Sequence, residues 1–267
     1  MSVRVAFEKA RAEGRSALIG YLPAGFPSVQ VGIDAVKAMI DNGVDIVEVG
    51  LPYSDPVMDG PVIQRATEAA LAGGFRVRDG LATVEAAAST GAPILTMTYW
   101  NLVERYGVDR FAADLATAGG AGLITPDLIP DEAGPWLTAS DQHDLDRVFL
   151  VSPSSTDARI TSTVAACRGF VYATSVMGVT GARTETSQAA PVIVSRVRSL
   201  AGSSTVPVAV GLGVSNGAQA AEVGAFADGV IVGSALVRCL QEADSPAAGV
   251  AAVAKLSAEL AEGVRRR

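Results

Sequence analysis

Residues 17–50, ALIGYLPAGFPSVQVGIDAVKAMIDNGVDIVEVG, decide the fold. Two short apolar runs, ALIGYL at 17–22 and DIVEVG at 45–50, flank a stretch at 28–41 in which Val, Ile, Ala and Met recur at helical spacing. A short, nearly continuous apolar run suits a strand buried on both faces, and two such strands joined through a helix lie parallel in one sheet. Ser28 stands just before the helical pattern, where an N-cap is wanted. The stretch therefore reads as one βαβ unit.

Working outward, the unit repeats. Further runs lie at 93–99 (PILTMTY), 122–127 (GLITPD), 147–152 (RVFLVS), 170–175 (FVYATS), 206–211 (VPVAVG) and 229–233 (GVIVG), making eight candidate strands. Helical segments at 61–72, 78–89, 108–118, 131–140, 157–166, 190–200, 216–223 and 246–262 alternate with them. Pro61 and Pro246 fall in first turns, Ser245 at an N-cap, and Asp131 and Glu132 near the positive end of a helix dipole. Eight strands with crossover helices and no break in composition over 267 residues predict a single (β/α)8 TIM barrel covering 1–267, with additional N- and C-terminal helices. A doubly wound sheet would announce a phosphate loop, GxGxxG or GxxxxGK[ST], after its first strand. Here that strand runs into Pro23-Ala24-Gly25-Phe26-Pro27, which is neither.

The residue inventory narrows the chemistry. A composition 49% hydrophobic and 18% charged supports a normal core and excludes disorder. A formal charge of −7 leaves no basic field for a nucleic-acid backbone. No apolar run reaches the ~20 residues of a membrane span and the N-terminus has no apolar signal core, so the expected location is cytoplasmic. Cys167 and Cys239 fit no metal or disulfide pattern and read as core fillers. His143, the only histidine, lies in the polar stretch SDQHDLD and reads as a helix end or turn. Lys9, Lys37 and Lys255 are the only lysines, and none stands at a strand end, where a Schiff-base lysine would have to be. No metal site is expected. Carboxylates, hydroxyls, backbone amides and arginines remain to do any chemistry.

In a barrel of this kind the active site lies at the C-terminal ends of the strands. There the second strand is anomalous, because Glu48 interrupts an apolar run two positions before Gly50. It either lines the barrel mouth, where burial would raise its pKa into the range of a general acid or base, or pairs with a structural cation at the rim. The loop that follows, LPYSDPVMDGPVIQ at 51–64, carries Asp55 and Asp59 on a Pro- and Gly-punctuated segment. Asp59 reads either as the N-cap of the next helix or as a carboxylate for a substrate N–H. Glycine-rich turns end three late strands: Met177-Gly178-Val179-Thr180-Gly181, Gly211-Leu212-Gly213 and Gly233-Ser234. Such turns let backbone amides and helix N-termini reach an anion, so they predict a phosphorylated ligand.

Six motifs carry a resemblance: EVGLPYSDPVMDGPVIQ at 48–64, MTYWN at 97–101, ITPDLIPDEA at 124–133, GVTG at 178–181, VGLGVS at 210–215 and VIVGSA at 230–235. In order and spacing the chain resembles the α subunit of tryptophan synthase from about residue 17 to about 240. The resemblance implies that Glu48 is the proton-moving catalytic glutamate and Asp59 the aspartate that binds the indole nitrogen. It places Tyr172 beside them, assigns Gly181, Gly213, Gly233 and Ser234 to the substrate phosphate, and lines the indole pocket with Tyr21, Ile63, Met97, Ile124 and Leu212. Asp55 and Asn101 fall in segments implied to touch a pyridoxal-phosphate β subunit in an αββα assembly. The cofactor would belong to that partner and none to this chain. Three positions depart from the common pattern: Pro23, Met177 and Leu212 stand where threonine, a polar or small residue, and an aromatic are usual.

The implied reaction, reversible retro-aldol cleavage of indole-3-glycerol phosphate to indole and glyceraldehyde 3-phosphate, suits the inventory. An ordinary aldolase needs a Schiff-base lysine or a metal as electron sink. Indole protonated at C3 is its own sink, so only proton transfer and charge stabilisation remain for the protein. Three other readings share parts of the pattern: a stand-alone indole-glycerol-phosphate lyase without a β partner, a phosphosugar isomerase barrel, and a catalytically silent barrel that activates a partner. The scarcity of His and Lys argues against the isomerase, and the intact Glu48 and Asp59 argue against the silent barrel.

Overall fold

The computed structural model describes residues 2–174, 189–202, 204–211 and 213–266. Its strands are β1 (Ala17–Pro23), β2 (Ile46–Gly50), β3 (Ile94–Met97), β4 (Gly122–Ile124), β5 (Asp146–Val148), β6 (Leu150–Val151), β7 (Val171–Thr174), β8 (Val208–Gly211) and β9 (Gly229–Val232). All pairings between them are parallel, in the order β5-β4-β3-β2-β1-β9-β8-β7-β6. The two ends of that order, β5 and β6, are halves of one run of chain separated only by Phe149. The first half pairs with β4 and the second with β7, while the Phe149 carbonyl accepts from the Tyr172 amide at 3.1 Å. The sheet thus closes on itself as a (β/α)8 barrel. The one departure from eight continuous strands is that the fifth changes partner halfway.

Side chains alternate across the barrel wall as a period of two requires. Ala17, Ile19, Ile46, Leu95, Ile124, Val148, Ala209 and Ile231 form the interior cluster. Leu18, Leu22, Val47, Val49, Ile94, Leu123, Val171, Val210 and Val230 belong to the cluster shared with the surrounding helices. Helix α1 (Arg4–Ala12) stops the bottom of the barrel, with Val3, Ala6, Phe7 and Ala10 joining the interior cluster. The fully buried Asp146 holds it there, accepting from the Val3 amide at 2.8 Å and the Ser2 hydroxyl at 3.1 Å.

The helices that position the site are α2 (Val29–Asp41), α3 (Pro61–Ala72), α4 (Val77–Ala88), α5 (Trp100–Tyr106), α6 (Val108–Thr117), α7 (Gly134–Gln142), α8 (Asp157–Ala166), α9 (Ala189–Leu200), α10 (Gly217–Gly224), α11 (Ser234–Gln241) and α12 (Pro246–Gly263). Ser28 and Ser245 cap α2 and α12 by accepting from Val31 and Ala248, and Pro61 and Pro246 stand in first turns. Two helical readings needed correction. The helix expected at 131–140 is a 3-10 turn (Pro130–Glu132) followed by α7, because Pro135 cannot donate within a helix but suits the start of a new one. Helix α5 was not anticipated. Its first amide, Trp100, is held by Asp127 at 2.9 Å, a partner 27 residues away. His143 is the C-cap of α7, as the helix-end reading expected, and Cys167 is buried while Cys239 is partly so. Among the described residues, no helix is long and apolar enough to cross a membrane.

Candidate active site

Glu48 shares the inward side of β2 with Ile46, and it is 1% exposed in the middle of the strand, two residues before its C-terminal end. It pairs in register with Tyr21 of β1 and Leu95 of β3. Its Oε1 has no hydrogen-bond partner among the described residues. Burial pushes its pKa from 4.5 to about 8, since a carboxylate loses its hydration there and no cation among the described residues offsets the loss. Among the described residues no cation pairs with it, so the rim ion pair considered from the sequence is not formed there. At neutral pH Glu48 is a protonated acid, and one proton transfer makes it a base.

Asp59 ends the irregular loop between β2 and α3. It does not cap α3: the N-cap is Gly60, without a side-chain cap. Its carboxylate turns instead to Tyr99, whose hydroxyl donates to Oδ1 at 3.2 Å, while its carbonyl accepts from Gln64 at 2.8 Å. Burial raises the Asp59 pKa and the Tyr99 hydrogen bond pulls it back. Of the two readings left open by the sequence, helix capping is thus excluded.

Two tyrosines bring the acids into one space. The Tyr21 hydroxyl lies over the Cα of Gly50 and the Tyr172 hydroxyl over that of Gly211, where a Cβ would come to 2.6 Å. A side chain at either glycine would fill the place of a ring. The Tyr21 hydroxyl is pushed well above its ordinary range, first by burial and then by the negative charges of Asp59 and Glu48 and by Tyr99 and Tyr172. One hydroxyl is therefore within electrostatic reach of both carboxylates. Tyr172 is raised in the same way by burial and by Glu48.

Next to Tyr21, α11 starts immediately after β9, the strand beside β1. Its N-cap is Gly233, without a side-chain cap, and Ser234, buried, is its first residue. The first-turn amides of a helix have no intrahelical partner, so this end carries donors and a positive dipole. Gly213, after β8, turns at φ +71°, a conformation that L side chains rarely adopt, and Asn216 then caps α10 through the Gln219 amide. Helix α11 packs on α3, and Gln241 donates to the Val62 carbonyl at 2.8 Å, which ties the amide wall to the helix that follows Asp59.

Of the apolar residues expected around the ligand, Ile124, Met97 and Tyr172 gather at the interior cluster, while Tyr21 and Ile63 belong to the adjoining one. Gly181, Leu212 and the Met177–Gly181 turn lie outside the described residues. Asp55 is exposed, with its carboxylate on the Ser54 hydroxyl. Asn101 donates to the Tyr53 hydroxyl at 2.8 Å, and the pair borders an open groove of about 370 Å³ that Leu102 and Tyr106 also line. Tyr99, Tyr53 and Asp127 were given no role by the sequence reading. The only trace of the first was its place in the MTYWN motif.

The fold and site define a class: a (β/α)8-barrel enzyme that presents one buried and one partly buried acid and a helix end without a side-chain cap at its mouth, with no cluster of His, Cys, Asp and Glu among the described residues able to hold a metal. The family model described as "Tryptophan synthase alpha chain" matches residues 7–265. A "Tryptophan synthase alpha chain" from Salinispora arenicola is 66% identical over 263 residues, 98% of this chain and 97% of that protein. One from Mycobacterium marinum is 60% identical over 261 residues, 98% and 94% of the two chains. The solved Mycobacterium tuberculosis tryptophan synthase contains a chain that superimposes with a TM-score of 0.92 at 59% identity, covering 98% of each. The chain belongs to the tryptophan synthase alpha chain family.

Proposed function

We propose that this site cleaves indole-3-glycerol phosphate reversibly to indole and glyceraldehyde 3-phosphate, with Glu48 moving the protons and Asp59 carrying the charge that develops on the indole nitrogen. The observation that carries the assignment is the buried Glu48 carboxyl, whose Oε1 has no partner among the described residues and whose pKa lies near 8, in a chain of this family. As an acid it delivers a proton to indole C3, giving a cationic indolenine. As the resulting carboxylate it takes the proton of the glycerol hydroxyl next to the ring. The C–O bond becomes a carbonyl, the C–C bond breaks, and its electrons restore the indole ring. Glu48 ends protonated, as it began. Asp59, ionised, stabilises the N–H cation in a site where low polarity strengthens the attraction.

The remaining assignments rest on the family resemblance. Gly213, Gly233, Ser234 and, by resemblance, Gly181 present amides to the phosphate. Tyr21, Ile63, Met97, Ile124, Tyr172 and, by resemblance, Leu212 enclose the indole. A β subunit is the partner of this family, and the segment with Asp55 and Asn101 is assigned to that contact in an αββα assembly, supported by the open apolar groove beside Asn101. Pyridoxal phosphate is assigned to the partner. A cytoplasmic location fits a biosynthetic enzyme that uses phosphorylated substrates.

The test is indole release from indole-3-glycerol phosphate, with and without an added β subunit. Glu48→Gln and Asp59→Asn should each lower kcat by about 10²- to 10⁴-fold while an unreactive indole-propanol phosphate still binds. A Glu48→Gln protein cleaving within about tenfold of wild type, a barrier change of only ~1.4 kcal/mol, refutes the assignment.

A further inference from the structure

We propose that Tyr99 is the positioning residue for Asp59: its hydroxyl fixes the carboxylate against the indole nitrogen. The inference rests on the role given to Asp59 above. The hydroxyl makes two contacts of opposite sense, accepting from the Met58 amide at 3.0 Å and donating to Asp59 Oδ1 at 3.2 Å. An amide can only donate, so the lone pair is used there and the single hydroxyl hydrogen is left for the carboxylate. Tyr99 remains a donor throughout the working range, because burial and the Asp59 charge both push its own ionisation up.

The ring is well anchored. It is 5% exposed and stacks on Tyr53 with centroids 5.3 Å apart and planes 33° apart. Its backbone is the N-cap of α5, whose first amide Asp127 grips with both oxygens, at 2.9 and 3.1 Å. Asp59, by contrast, sits on a segment without regular structure and caps no helix. A rigid donor on the third strand's helix thus supplies the register that the loop after the second strand lacks. It also opposes burial, which by itself would favour a neutral Asp59 unable to balance an indolenium charge.

The test uses the full chain with its β subunit and four proteins: wild type, Tyr99→Phe, Asp59→Asn and the double variant, assayed for cleavage from about pH 5 to 9. Phenylalanine keeps the ring and the stack on Tyr53, so the fold is retained. Tyr99→Phe should lower kcat about 10- to 100-fold with KM changed by less than about threefold, the scale of a misplaced catalytic group. Its acid limb should move to higher pH, which loss of packing alone would not cause. In the Asp59→Asn background the same change should cost no more than about twofold, because the hydroxyl then has no charge to hold. Wild-type kcat with an unmoved acid limb overturns the proposal, as does an equal loss in both backgrounds. If Asp59→Asn cleaves at the wild-type rate, the role of Asp59 itself fails, and that result is distinct from either of the others.

Discussion

Replacing Glu48 with glutamine tests the electrostatics of the site through stability rather than rate. The side chain is 1% exposed and burial sets its pKa at about 8 against an ordinary 4.5. Below about pH 4.5 the carboxyl is protonated in folded and unfolded chains alike and costs nothing extra. As pH rises the unfolded chain ionises first, so stability falls until the folded pKa is passed near 8 and is level beyond it. At 1.36 kcal/mol per pH unit the whole interval amounts to about 5 kcal/mol, of which about 3 kcal/mol falls between pH 5.5 and 9. Glutamine has the same shape and no titration, and whatever its unpaired amide costs is the same at every pH. The stability of Glu48→Gln minus that of wild type should therefore rise by about 3 kcal/mol from pH 5.5 to 9, with most of the rise complete by about pH 8. Urea unfolding at several pH values measures it. Parallel curves for the two proteins would mean that Glu48 is hydrated or paired in the folded chain, and the account of it as a desolvated acid would be wrong.

The same ionisation should appear in the kinetics: kcat/KM should fall above about pH 8, where free enzyme loses the Glu48 proton that indole C3 requires. Gly211→Ala would put a Cβ at 2.6 Å from the Tyr172 hydroxyl, so the ring must move; a loss of at least about tenfold in kcat/KM and about 1–3 kcal/mol in stability is expected from paired kinetic and unfolding measurements. Asp146→Ala removes the acceptor for the Val3 amide and the Ser2 hydroxyl and should cost about 2–3 kcal/mol. Hydrogen exchange should accelerate in α1 while kcat stays within about twofold, since that helix closes the end of the barrel remote from the acids.

Much of the barrel could be read from local pattern. Strands buried on both faces give continuous apolar runs, and the caps at Ser28, Asn216 and Ser245 act on amides three residues ahead, so short windows contain both the signal and its partner. Features that depend on distant chain were not legible in this way. Helix α5 starts on Asp127, and the split of the fifth strand at Phe149 reflects its pairing with two different neighbours. At the site, the inward direction of Glu48 follows from its spacing to Ile46. The choice between cap and ligand for Asp59 did not follow from any local rule, because its partner Tyr99 is 40 residues away.

The order of residues alone determined the parallel α/β architecture, the candidate acids at 48 and 59 and the absence of lysine or histidine where an aldolase would want them, since each depends on residue type and short-range period. Only the closed barrel decided the protonation of Glu48, the seating of Tyr21 over Gly50 and of Tyr172 over Gly211, and the hold of Tyr99 on Asp59. Desolvation and hydrogen-bond geometry are properties of what surrounds an atom in space, and those neighbours come from strands and loops far apart along the chain.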